Sequence, residues 1–123
     1  MADRFFDEHK GILFTKSDGE VTYDEMFSRM KNLVQLSEFT KDLKILEDAR
    51  GATALFNVSE LHKLLENLED ILKAFTSVRH AVLHSDPKAT AYALMVKQFD
   101  NLRKYKIMVF STEAAALSWL NES

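Results

Sequence analysis

The segment that most narrows the fold lies near the end of the sequence, where Ile107-Met108-Val109-Phe110 runs through Ser111-Thr112-Glu113 into Ala114-Ala115-Ala116-Leu117 and then Trp119-Leu120. It reads as a short apolar strand passing directly into a helix. A hydroxyl at Ser111 or Thr112 can cap the first free backbone N–H groups of that helix, and Glu113 suits the positive end of its dipole. The small alanines let the helix lie close to a sheet, with Trp119 as its large apolar anchor.

A strand tied to a helix in this way belongs to an α/β architecture, and the rest of the sequence can be laid out on that basis. The 123 residues suffice for one domain with one core and no disulfide or metal staple. Hydrophobic residues make up 46% and charged residues 28%, a balance that favours a folded globular domain over disorder. The formal charge of -3 gives no excess of Lys and Arg from which to build a nucleic-acid-binding face. Cysteine is absent, so thiol nucleophiles, disulfides and thiolate metal sites are excluded, consistent with a reducing compartment. The opening Met1-Ala2-Asp3-Arg4-Phe5-Phe6-Asp7-Glu8 puts acids where a secretory signal needs an apolar run, and no stretch is long enough to span a bilayer. The expectation is a cytoplasmic protein with no stable membrane insertion.

Phe5 and Phe6 start a first strand, and Gly11 to Lys16 form a second, closed by turn chemistry at Ser17-Asp18-Gly19. Thr22-Tyr23-Asp24-Glu25 matches a capping box and opens a helix whose apolar positions Tyr23, Met26, Phe27, Met30, Leu33 and Val34 share a face. Leu43 to Leu46 read as a strand and Glu47 to Gly51 as the loop after it. Ser59 is expected to cap a second helix with the stripe Leu61, Leu64, Leu65, Leu68, Ile71, Leu72 and Phe75, the clearest periodic signal present. Ala81-Val82-Leu83 supplies a strand, and Asp86-Pro87 supplies a cap and a first-turn proline for a third helix. That helix is expected to reach about Tyr105, with Arg103-Lys104-Tyr105-Lys106 as cations at its negative end. Tyr92, Met95, Val96, Phe99 and Leu102 form its inner stripe, leaving Ala91 and Leu94 for a neighbouring helix or a second subunit. Strands alternating with helices imply parallel pairing after an antiparallel N-terminal hairpin.

The order of elements, the Gly19 turn, the Thr22 cap, Asp48-Ala49-Arg50 and the ending Val109-Phe110, Glu113-Ala114 and Trp119-Leu120 together resemble the small bacterial STAS-like, or SpoIIAA-like, proteins, which are related in architecture to CRAL-TRIO lipid-transfer domains. The resemblance spans almost the whole sequence. It implies a mixed, mostly parallel sheet of about five strands with about four helices, and a protein that binds or switches rather than catalyses. Anti-sigma-factor antagonists of this fold carry a phosphorylatable serine in an Asp-Ser-Ser-Gly-like stretch. The corresponding region here, Asp48-Ala49-Arg50-Gly51-Ala52-Thr53 and on to Asn57-Val58-Ser59, lacks the Asp-Ser pair and offers Ser59 as the equivalent hydroxyl.

Ligands of parallel sheets bind outside the carboxyl ends of strands, which here points to Asp48 and Arg50, Ser85 and Asp86, and Ser111 and Thr112. If these loops meet, Arg50 and the helix N-termini make an anion site; otherwise Asp86, Ser111 and Thr112 are caps and Asp48 with Arg50 a local ion pair. His80 and His84 would lie about 13 Å apart at roughly 3.3 Å per residue, too far to share a metal, and no histidine stands in a recognised metal spacing. No nucleophile elbow, phosphate loop or dinucleotide fingerprint occurs, so no cofactor is expected. The expected function is that of a non-catalytic module acting by protein–protein interaction, as a homodimer and with Asp48 to Ser59 as the recognition surface. The alternative is a carrier or sensor of a small apolar or anionic ligand, which requires a pocket lined by Met26, Met30, Leu65, Met95 or Phe99.

Overall fold

The computed structural model describes residues 3–84, 86–98 and 103–122. Five strands form one sheet in the order β1 (Asp3–Asp7), β2 (Ile12–Val21), β3 (Asp42–Ala54), β4 (Ser77–Leu83) and β5 (Tyr105–Phe110). The β1–β2 pair is an antiparallel hairpin, and all later pairs are parallel. Helices α1 (Tyr23–Asn32), α2 (Val58–Leu72) and α3 (Pro87–Lys97) are the crossovers, and α4 (Glu113–Leu120) follows β5. The expected α/β class, mixed sheet and element order are all present.

Each crossover leads to the adjacent strand in the same direction, so right-handed connections place α1, α2 and α3 on one sheet face. There Leu61, Leu64, Leu65, Leu68, Ile71 and Leu72 of α2 pack with Leu13, Leu43, Ile45 and Val78 of the strands. On the opposite face, Ala116 and Leu120 of α4 are fully buried against Ile12, Leu46, Ala81 and Leu83. Ala116 permits this close approach, and Trp119 packs beside it at 5.6 Å from the Phe110 ring. Arg79 locks the end of the helix, donating to the Trp119 carbonyl at 2.6 Å and stacking on its indole at 4.4 Å.

Several local expectations need correction. The Glu47–Gly51 loop is the middle of a 13-residue strand. Lys16 pairs with Asp48 but Asp18 with Gly51, so β3 carries one residue more than β2 at this point, a bulge at Ala49–Arg50 opposite Ser17. The turn-like chemistry is real: Asp48 Oδ1 accepts from the Arg50 N–H at 3.2 Å. It relieves a bulge rather than ending a strand. The Ser17-Asp18-Gly19 turn is likewise part of β2, with Gly19 at φ +73°.

Helix α2 is capped by Asn57, not Ser59, through a reciprocal capping box with Glu60. The Thr22 hydroxyl does cap α1, but the Glu25 carboxylate meets that hydroxyl. Helix α1 gives way at Leu33 to a 3-10 helix (Leu33–Glu38), which breaks the 3.6-residue phase and leaves Val34 exposed. Helix α3 ends at Lys97, and Tyr105 belongs to β5, where it alternates with Ile107 and Val109. Arg103 and Lys104 therefore sit in the turn before a strand, and Lys104 Nζ donates to the Phe75 carbonyl at 3.1 Å. Phe99 and Leu102 lie outside the described residues.

Candidate functional site

The period-2 alternation of the strands sends Leu13, Thr15, Ile45, Glu47, His80, Val82, Ile107 and Val109 to the face under α1, α2 and α3. The β3 bulge then switches the parity, so that Ala49, Ala52 and Ala54 all point the same way. Their small side chains leave room. A cavity of about 290 Å³ lies between this face and the helices, walled by Met26 and Met30 of α1, Leu61, Leu64 and Leu65 of α2, and Tyr92 of α3.

A chain of polar groups is set into this apolar wall. Arg29 Nη1 donates to Ser17 Oγ at 2.6 Å, and Ser17 Oγ lies 3.5 Å from Glu47 Oε2. Glu47 Oε1 is 2.8 Å from His80 Nε2, and His80 Nδ1 is hydrogen-bonded to the Tyr105 hydroxyl. Burial by itself raises the Glu47 pKa, but the His80 hydrogen bond and charge, the Arg29 charge and the Ser17 hydroxyl outweigh it and hold the carboxyl below its ordinary value. Burial, with the Glu47 charge second, pushes the Tyr105 phenol well above its ordinary range. An ionised Glu47 can only accept, so the His80 Nε2–H donates to it.

His84 is also at the cavity but has a different task. Its Nδ1 accepts from the Asp86 backbone N–H at 2.9 Å, and its Nε2–H donates to the Ala52 carbonyl at 3.1 Å. It ties β3 to the loop before α3. The two histidines have separate partners, and no group of three potential metal ligands occurs among the described residues.

The residues singled out from sequence fall in several places. Strand register aligns Asp48 with Leu83 and Leu83 with Phe110, so Asp48 lies level with the start of α4. Arg50 forms a two-bonded ion pair with Asp48, at 2.9 and 2.8 Å, and feels the charge of Glu113. Thr112 caps α4 by accepting from the Ala115 N–H, while Ser111 precedes it, exposed. Asp86 caps α3, accepting from the Lys88 N–H at 2.9 Å, and borders the cavity. Ser59 is exposed in the first turn of α2, and Ser85 lies outside the described residues.

Ser17, Arg29, Glu47 and Tyr105 are not among those sequence candidates. A signal for two members of the network was present: in Leu43-x-Ile45-x-Glu47 and Val78-x-His80-x-Val82 a polar residue occupies a row of inward-facing apolar positions. Reading Glu47 as loop concealed the first row.

The chain matches no family model and no curated protein sequence. Solved structures share its fold, among them the following two. One is an uncharacterised protein of the DUF3478 family with a SpoIIAA-like fold from Shewanella loihica PV-4, at 16% identity and a TM-score of 0.66, with 97% of this chain and 93% of that one covered. Another is the unphosphorylated anti-sigma factor antagonist SpoIIAA, at 14% identity and a TM-score of 0.56 over the whole of both chains. The chain thus has a SpoIIAA-like fold. Among the described residues no helix is long and apolar enough to cross a membrane.

Proposed function

We propose that this SpoIIAA-like domain is a non-catalytic binding module that holds a small, mostly apolar ligand between its sheet and helices α1 to α3. The observation that carries this reading is the cavity of about 290 Å³, lined by Met26, Met30 and Leu65 and interrupted by one connected polar wall. Close packing is the norm in protein interiors, and a space of this size lies at the lower end of ligand pockets, near 300 Å³. Methionines suit such a wall because their unbranched thioethers adapt to the occupant. Binding is favoured over catalysis because Tyr105 stays protonated and the oxygens of Glu47 and nitrogens of His80 are held within the network.

Native mass spectrometry of protein purified without detergent tests the reading. Extra mass lost on denaturation supports it, and Ala54→Phe, which fills the cavity from β3, should abolish that mass. Retention of the same mass by a folded Ala54→Phe protein would refute it.

A second reading is a regulatory protein–protein module, as the name of the anti-sigma factor antagonist suggests for that fold neighbour. It is favoured by Leu55 and Val58, 50% and 46% exposed on either side of the Asn57 cap and next to Ser59. Loss of a co-purifying partner on Leu55→Asp substitution, with the fold intact, would support it; an unchanged partner profile would count against it.

A further inference from the structure

We infer that the ligand is a monocarboxylate with an apolar tail and that Arg29 is the anchor for its carboxylate; this rests on the cavity-binding reading above. The assignment follows from which polar groups around the cavity still have bonds to give. His84 uses both ring nitrogens within the protein, and so does His80. Tyr105 is bonded to His80, and both Glu47 oxygens are engaged. Asp86 caps α3, and the Tyr92 hydroxyl donates to the Phe56 carbonyl at 2.9 Å. Lys88 Nζ gives one of its three donors to the Ala54 carbonyl at 3.0 Å but is exposed, and the half-buried Thr15 hydroxyl carries no charge.

Arg29 is different. A guanidinium carries five N–H donors, and Arg29 makes one hydrogen bond, from Nη1 to Ser17. Among the described residues the only buried side-chain nitrogen or oxygen lacking a partner is Arg79 Nε, so the remaining Arg29 donors are not sealed inside protein. The residue sits on α1 between Met26 and Met30, and all three line the cavity. A half-buried guanidinium beside an apolar space presents the planar fork that matches a carboxylate with two parallel bonds.

Charge sets the sign. The lining contains three cations, Arg4, Arg29 and Lys88, against two carboxylates, Glu47 and Asp86, so the cavity favours an anion. A monocarboxylate brings one charge to the guanidinium, a doubly charged phosphate monoester would bring two near the ionised Glu47, and a neutral alcohol would leave the guanidinium without a counter-charge. Arg4 is exposed on β1, at the sheet edge, so it adds to the potential rather than forming the buried contact.

The test is isothermal titration of the full chain with octanoate, octanol and octyl phosphate, using the wild type, Arg29→Gln and Arg29→Lys. A charge-assisted hydrogen bond is worth about 1.5–3 kcal/mol, or roughly a tenfold to hundredfold change in affinity. Octanoate should therefore bind the wild type at least about tenfold more tightly than octanol. Arg29→Gln should remove that advantage while leaving octanol affinity unchanged, which also shows that the variant is folded, and Arg29→Lys should restore part of it. Equal binding of octanoate and octanol to the wild type, or equal losses for both in Arg29→Gln, would overturn the anchor while leaving the cavity reading standing. Tighter binding of octyl phosphate than octanoate would overturn the carboxylate assignment. If none of the three probes binds and native spectra carry no extra mass, the cavity reading itself fails.

Discussion

Replacing Glu47 with alanine should be among the most damaging single changes to the core, and the cost can be worked from its surroundings. The side chain is 12% exposed and its partner His80 15%, so both groups have given up most of their water for each other. Removing one member of a buried pair costs about 3–5 kcal/mol, because the other is left buried with its bond unmade. The adjoining cavity can admit water to His80, which places the expected loss near the lower end, about 3 kcal/mol. At about 2.1 cal/mol/K of unfolding entropy per residue, 123 residues give roughly 260 cal/mol/K and a fall in Tm of about 12 °C. Calorimetry or thermal circular dichroism reads this directly, and a fall under about 3 °C would refute the idea that the network is a closed, buried unit. The acid limb supplies a second check. The folded-state pKa of Glu47 lies below its ordinary 4.5, so its contribution is fully present above about pH 4.5 and is lost as pH falls through the folded value. Glu47→Gln should lack that acid step, and an identical acid limb in the two proteins would contradict the assigned ionisation.

Three smaller perturbations probe the frame around the cavity. Asn57→Ala should destabilise by about 1 kcal/mol by removing the α2 cap, whereas Ser59→Ala should fall within about 0.5 kcal/mol of wild type; urea melts that reverse this order would restore Ser59 as the cap. Gly19→Ala should cost roughly 1–2 kcal/mol from positive φ alone, since a Cβ there meets no atom within 4 Å, and Gly19→Asn should cost less; equal stability of all three proteins would refute the left-handed assignment. Arg79→Ala should cost about 2 kcal/mol, through loss of a charged hydrogen bond to the Trp119 carbonyl, and should change Trp119 fluorescence; an unaltered spectrum would exclude the stacked guanidinium.

Most of the architecture was legible along the chain because its determinants are local. The α2 leucine stripe, the Asp86 cap and the passage from β5 into α4 each need only the spacing of neighbours to be read. Errors arose where one residue type serves two structures. Asp48-Ala49-Arg50-Gly51 has the composition of a loop, and the Asp48 side chain does bond two residues on, yet the segment is a bulge in β3 carried along β2, with Asp48 also paired to β4. Tyr105 suits either the end of an apolar helix or the start of a strand, and only pairing with Val78 decides it.

The sequence by itself determined the class of fold, the caps of α1, α3 and α4 and the apolar face of α2, all of which follow from contacts within a few residues. The site depended on strand order. In a sheet whose strands follow one another from β2 to β5, the crossover helices collect on one face, and there is no reversal point to open a crevice between strand ends. The free volume lies instead between helices and sheet. Ser17, Arg29, Glu47, His80 and Tyr105 come from five elements spread over most of the chain, and the β3 bulge turns three alanines toward the same space. Their meeting is a long-range consequence of register and crossover handedness, which no local pattern encodes.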